Sequence, residues 1–201
     1  MTQAELIAEE IIHLFKQHGD EDYDGEPVTQ SSHMIQCAML AGQDDADDEL
    51  IIGTFLHDIG HLLKHNQPAE TMGNFGVVNH EGLGAAYLYK KGFSERICSV
   101  VEMHVQAKRY LVTTDKTYFA KLSAASIETL KWQGGAMSKQ EATAFEHHPY
   151  FKDIIKVRYW DEAAKNTNIK VLPLSLFNKL LTEYLLNRTS IYETACGISS
   201  I

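Results

Sequence analysis

Cysteine is scarce in this 201-residue chain, with only Cys37, Cys98 and Cys196. An odd number of widely spaced cysteines with no CxxC pair argues against a disulfide framework and against a thiolate zinc site. A reducing compartment follows. Long apolar runs are also missing, since no uncharged stretch reaches the roughly 18 residues needed to cross a bilayer. The N-terminus, MTQAELIAEEIIHLF, reads as an acidic amphipathic helix, not as a basic region followed by an apolar one. A soluble cytoplasmic protein with no membrane partner is expected. Positive charge is short too: 18 basic against 27 acidic residues leave a net charge of -9. That balance disfavours non-specific binding to nucleic acid, so an anionic substrate must find a local cationic pocket.

What is present is helical pattern. Apolar residues recur mostly at three and four spacing, and no long alternating run suggests a sheet. With 44% hydrophobic residues, the chain fits one all-α domain over residues 1–201 with a sizeable core. Leu6, Ile7, Ile11, Leu14 and Phe15 form a stripe that stops near Gly19. The polar segment GDEDYDGEPVTQ then reads as a loop. Further helices are predicted around Gln30 to Gly42, across FLHDIGHLL, over VVNHEGLGAAYLYKKG, and after an N-cap at Ser94. NQPAETMGNFG reads as loop. KTYFAKLSAASIETLKW is predicted helical, Ser138 with Glu141 makes a capping box, and Tyr150 to Asn166 and Leu174 to Asn187 complete the bundle.

FLHDIGHLL, from Phe55 to Leu63, puts His57, Asp58 and His61 into a segment that otherwise reads as buried helix. Burying unpaired imidazole and carboxylate costs several kcal/mol, which is tolerated when the groups are paired or hold a metal. At about 100° per residue, His57 and His61 fall within about 40° of each other, so all three side chains can face one site. Alone, such a doublet could equally well serve core hydrogen bonds. His33, His80, His104 and Asp161, however, sit among apolar neighbours in HMIQCAML, VVNHEGLGAAYL, VVEMHV and VRYWDEAA. Together these residues supply four imidazoles and two carboxylates, a set suited to two first-row transition metals bridged by a shared carboxylate. Sulfur-free, histidine-rich ligation favours iron, manganese or zinc over magnesium, and ligand type does not choose among the three.

The order His33, His57-Asp58, His80, His104, Asp161 resembles the HD-domain superfamily, an all-helical fold of mainly metal-dependent phosphohydrolases. By that resemblance Asp58 bridges two ions, with His33, His57 and Asp161 on one and His80 and His104 on the other. Around YDGE, HDIGH, HVQAK and VRYWDE the chain is similar to the oxygenase branch, which includes myo-inositol oxygenase and organophosphonate-degrading enzymes. The resemblance implies an oxidoreductase with a mixed-valent Fe(II)/Fe(III) pair, dioxygen as co-substrate, and Asp58 and His61 as catalytic residues. Its substrate would be a small aminophosphonate, cleaved at the carbon-phosphorus bond to give glycine and phosphate.

The residues around the expected ligands suit such a substrate. His61 follows Asp58 by three positions, Lys108 follows His104 by four, and Arg158 precedes Asp161 by three, each one helical turn from an expected ligand. They would form an anion pocket in an acidic protein, with Arg158 able to bind two oxygens and Lys108 supplying a point charge. Without the metal argument, Lys108 and Arg158 would read as helix-surface residues. By resemblance, Ser126 contacts the phosphonate, and Tyr23 and Glu26 match a lid in which tyrosine takes the open iron position and glutamate binds the substrate ammonium. A carboxylate on a Gly-containing segment can close over an amine and exclude water. Other readings stay open: a dinuclear HD phosphohydrolase or phosphodiesterase, an oxygenase of another aminophosphonate such as an N-methylated one, and a regulatory HD module that binds a small anion. A monomer or weak homo-oligomer is expected. His13, His18 and His65 read as surface or loop residues, and His147-His148-Pro149 as a connector. DDADDE lacks EF-hand spacing.

Overall fold

The computed structural model describes residues 1–23, 25–64, 71–72 and 76–196, except for the side chains of 189–196. His65 and most of NQPAETMGNFG lie outside the described residues. Those described form eleven helices, with no strand among them and two isolated bridges, Asp22 to Thr29 and Thr71 to Val77. None of these helices is long and apolar enough to cross a membrane.

Helix α1 (Gln3–His18) opens on a capping box made by Thr2 and Glu5 and closes at Gly19. Its inner face carries Ile7, Ile11, Leu14 and Phe15, whereas Leu6 is exposed. α2 (Gln30–Gln43) is capped by Thr29, and α3 (Asp48–Phe55) by Asp47. Rings of Phe15 and Phe55 stack at 4.5 Å, and those of Phe55 and Phe177 at 4.1 Å, joining α1, α3 and the last helix in one core. Each such side chain removed from water contributes about 1.5–3 kcal/mol. α6 (Glu95–Thr114), capped by Ser94 as expected, packs against α3, α5 (His80–Lys90) and α10 (Phe151–Ala163). A second core of Ala107, Ile154, Val157 and Trp160 fills the space beside it.

The helix expected across FLHDIGHLL is broken. α3 ends at Phe55, α4 (Ile59–Leu63) starts after Asp58, and the His-Asp doublet sits in the turn between them. The cause is local: the His57 ring takes the Thr54 carbonyl at 2.8 Å, the acceptor a continuing helix would offer to residue 58. KTYFAKLSAASIETLKW is likewise two helices, α7 (Lys116–Phe119) and α8 (Ala124–Trp132), because the Ser123 hydroxyl accepts from the Ser126 amide and starts a new helix there. α5 begins only at His80, after Asn79 in the left-handed region (φ 57°). α9 (Lys139–Glu146) starts on the expected capping box, α10 ends three residues short of Asn166, and α11 (Leu174–Cys196) runs beyond Asn187.

Candidate metal centre and its cavity

Four helices and one turn deliver the six expected ligands to one buried point. His33 comes from α2, His57 and Asp58 from the α3–α4 turn, His80 from the first position of α5, His104 from α6 and Asp161 from α10. All six are buried. Asp58 lies at the centre with its two oxygens divided. Oδ2 is 3.3 Å from His57 Nε2 and 3.6 Å from His33 Nε2, while Oδ1 is 3.2 Å from His80 Nε2 and 3.3 Å from His104 Nε2. Asp161 Oδ1 lies 3.4 Å from His33 Nε2, on the Oδ2 side. Gly60 makes the approach of α4 to α5 possible, since a Cβ there would lie 1.9 Å from the His80 carbonyl oxygen. Gly84 lets α5 close on Ile59 and Val101, whereas Gly82 accommodates the side chain of its own neighbour Asn79.

The donor set fits two cations. Every outer nitrogen faces a backbone carbonyl: His33 Nδ1 with Ala164, His57 with Thr54, His80 with Val77 and His104 with Val101, at 2.7–3.2 Å. A carbonyl only accepts, so each Nδ1 carries the proton and each Nε2 turns a lone pair inward. Yet His80 and His104 Nε2 are 3.1 Å apart, and those of His33 and His57 3.3 Å apart. Lone pairs so placed repel unless positive charge lies between them. Ligand atoms about 2.1 Å from one ion at ordinary angles sit roughly 3.0–3.5 Å apart, the separation found here. Asp58 Oδ2 is buried with no hydrogen-bond partner among the described residues, as an oxygen aimed at a cation would be.

Electrostatics supports the same conclusion. Against the effect of burial, His57, His104 and His80 hold the Asp58 carboxyl well below the usual range, and Arg158 and His33 do the same for Asp161. Burial pulls His57 down, but Asp58 pushes it up to about 9. Two buried carboxylates thus draw positive charge onto the ring nitrogens, which a metal ion supplies more fully than protons.

A cavity opens beside His80 and His104. Tyr23, Glu26, Asp58, His61, Lys108, Ser126, Arg158 and Asp161 also line it, so of the expected site residues only His33 and His57 lie behind its wall. His61 accepts the Val77 amide on Nδ1 at 3.2 Å, and burial together with His80 keeps its ring well below the usual histidine range. It is neutral, with its proton on Nε2. Lys108 is buried and donates to Thr129 Oγ1 at 2.9 Å; burial and then the Arg158 charge push it down to about 7. Arg158 donates through Nε to the Tyr118 hydroxyl at 2.6 Å, and its other two nitrogens are turned onto Asp161 and Glu162. Tyr23 stacks on His33 with ring centroids 4.0 Å apart. Burial and then the Asp58 and Asp161 charges raise its phenol well above the usual value. Gly25 (φ 79°) turns the chain so that the Glu26 amide meets the Tyr23 carbonyl. Glu26 in turn accepts from Lys165 Nζ at 2.9 Å and from the Ser123 hydroxyl.

Comparison with known proteins decides the family. The HD domain matches residues 31–128. A 1-hydroxy-2-(trimethylamino)ethylphosphonate dioxygenase (glycine-betaine-forming) of Leisingera caerulea is 43% identical over 82% of this chain and 83% of its own. The chain belongs to the HD-domain family. A hydroxymethylphosphonate dioxygenase of Gimesia maris is 35% identical over 84% of this chain and 83% of its own. An uncharacterised protein of Acanthamoeba polyphaga mimivirus is 42% identical over 90% and 82%. This all-α HD domain is therefore related to oxidoreductases that act on phosphonates, and its His/Asp cluster is consistent with a metal site.

Several residues around the HD centre were not foreseen. Cys37 Sγ lies 3.7 Å from His33 Nε2, and burial followed by Asp161 and Asp58 raises its thiol well above the usual value, keeping it protonated. Lys165 bonds to Glu26, Ser123, Ser126 and Glu162. Cys37 and Lys165 each follow an expected ligand by four residues, the same one-turn spacing that singled out Lys108. Thr129 and Gln133 also line the cavity, one and two turns beyond Ser126 on α8 and its end.

Proposed function

We propose that this HD domain is an iron oxygenase that converts 2-amino-1-hydroxyethylphosphonate and dioxygen into glycine and phosphate. The reaction balances without an external reductant: the carbon-phosphorus bond breaks, and both atoms of dioxygen end in the two products. His33, His57, Asp161 and the shared Asp58 would hold one ion, and His80, His104 and Asp58 the other. A mixed-valent Fe(II)/Fe(III) pair bound there would supply the redox chemistry for dioxygen activation and C1 oxidation. The relatives named as phosphonate dioxygenases support the class of reaction.

The observation that carries the substrate assignment is the polarity of the cavity. Lys108, with Ser126 and the Nε2–H of His61, offers donors to an anionic phosphonate, and Arg158 adds a fixed positive charge. Glu26 lies at the same cavity and already binds a primary ammonium, that of Lys165. A substrate –NH3+ can take over those hydrogen bonds, whereas a trimethylammonium has no N–H to offer and a hydroxymethylphosphonate has no cation. In this reading Glu26 orients the amine end and Lys108 the phosphonate end. Tyr23, stacked on His33 at the cavity wall, would give way as substrate enters and close over it to exclude water.

Low-temperature EPR of the iron-loaded, partly reduced protein tests the reading. A half-integer, spin-coupled diiron signal that shifts when 2-amino-1-hydroxyethylphosphonate is added, with one glycine and one phosphate formed per dioxygen, is expected. No such signal at any redox poise, with hydrolysis of phosphate esters instead, refutes it in favour of the hydrolase. A higher kcat/KM for the trimethylammonium or hydroxymethyl substrate would overturn the amine assignment.

A further inference from the structure

Of the four inward histidines, only His80 has a carboxylate beside its outer nitrogen among the described residues. Glu81 Oε2 lies 3.4 Å from His80 Nδ1. The Nδ1 contact with the Val77 carbonyl, 3.2 Å, is the longest of the four, as expected when one N–H is shared between two acceptors. Oε2 itself is buried and accepts no regular hydrogen bond from the described residues.

A glutamate in the first turn of a helix is ordinarily explained by the helix dipole. That role is fulfilled in water and does not call for burying a charged oxygen against the His80 ring, which is costly. Nor does helix geometry bring the two side chains together, because neighbours on a helix diverge by about 100°. The contact depends on how α5 begins. Asn79 is left-handed (φ 57°), and its amide fills the place where a Cβ on residue 82 would meet Asn79 Oδ1 at 2.6 Å. The turn so built carries Glu81 back alongside the ring of residue 80.

We propose that Glu81 is a positioning residue for His80, and that it selectively strengthens the hold on the ion at the cavity side. A carboxylate beside Nδ1–H fixes the tautomer and makes Nε2 a stronger donor, as outer carboxylates do for metal-bound histidines. The two sites need this help unequally. One ion would have His33, His57 and Asp161 besides the shared Asp58; the other has only His80 and His104. Glu81 offsets that deficit where the substrate must also bind, and it favours a higher charge on that ion. The inference rests on the metal-centre reading given above.

The test uses full-length protein loaded with iron(II) under anaerobic conditions and challenged with a chromogenic chelator, for wild type, Glu81→Gln and Glu81→Asp. Glu81→Gln keeps the shape and removes the charge. One of its two ions should bind about 10- to 100-fold more weakly, the second should be released as in wild type, and Glu81→Asp should recover part of the difference. In a His80→Ala background, Glu81→Gln should change nothing further. Release of both ions as in wild type, or equal loosening of both, overturns the inference alone. A wild-type protein that takes up no metal overturns the metal-centre reading with it.

Discussion

Replacing Gly60 by alanine should remove one metal and leave the other. A Cβ at this position would lie 1.9 Å from the His80 carbonyl oxygen and 2.9 Å from its Cα. The obstacle is backbone, so no side-chain rotation relieves it, and α4 must part from the start of α5 by about 1 Å before the contact becomes tolerable. Asp58 precedes α4 directly and His80 opens α5, so their 3.2 Å approach widens with that movement. It then leaves the range of neighbouring ligands on one ion. His33, His57 and Asp161 keep their places on the far side. Overpacking of this kind costs about 1–3 kcal/mol, and at roughly 2–4 °C per kcal/mol for a chain of this size Tm should fall by several degrees. Metal analysis of purified Gly60→Ala should give one ion per chain where the wild type gives two, with oxygenase activity lost. A variant with two ions and an unshifted Tm would refute the role assigned to this close approach.

Lys108→Ala should keep both metals and raise KM. Losing a charge-assisted hydrogen bond of about 1.5–3 kcal/mol corresponds to roughly a 10- to 150-fold drop in kcat/KM, and unchanged substrate affinity would remove the anion-pocket argument. Because burial and Arg158 push Lys108 down to about 7, its charge is present below that pH and lost above it. kcat/KM should therefore decline as pH rises through neutrality, and Lys108→Arg should lack this limb; a profile identical in the two proteins would contradict it. Asp58→Ala should lose both ions, since its two oxygens serve both sites. Acidifying the wild type should also release both ions as protons compete for the ring nitrogens, and metal content by mass spectrometry of the desalted protein checks both points.

The buried His/Asp cluster could be read from the sequence because its cost is visible there. Six ionisable side chains sat in apolar surroundings, and the fold brings all six together. Helix starts with a capping side chain, at Ser94 and Ser138, were equally legible. The break inside FLHDIGHLL was not, because it comes from the His57 ring competing for the Thr54 carbonyl, which an apolar pattern does not encode. Nor was the start at Ser123, where one hydroxyl ends a helical pattern that spacing alone would continue. Leu6 failed for a related reason: it fits the apolar period of α1 but falls at the edge of the stripe that meets the core.

The partners of Arg158, Glu26 and Lys165 were hidden for a deeper reason, since spacing identifies neighbours on one helix but not which charges balance across helices. Each buried charge is costly unless paired. Arg158 meets that demand by binding Asp161 and Glu162, and Lys165 by joining Glu162 to Glu26. The cavity wall therefore carries its charges largely neutralised, except at Lys108, whose hydrogen-bond partner is a neutral hydroxyl. A zwitterion carrying an anion at one end and an ammonium at the other can enter such a wall without leaving a new charge unpaired. In the proposed reading its phosphonate would complete Lys108 while its amine would take the place of Lys165 on Glu26. A substrate lacking the amine would have to leave the Glu26–Lys165 pair intact, and would gain nothing from that end of the cavity.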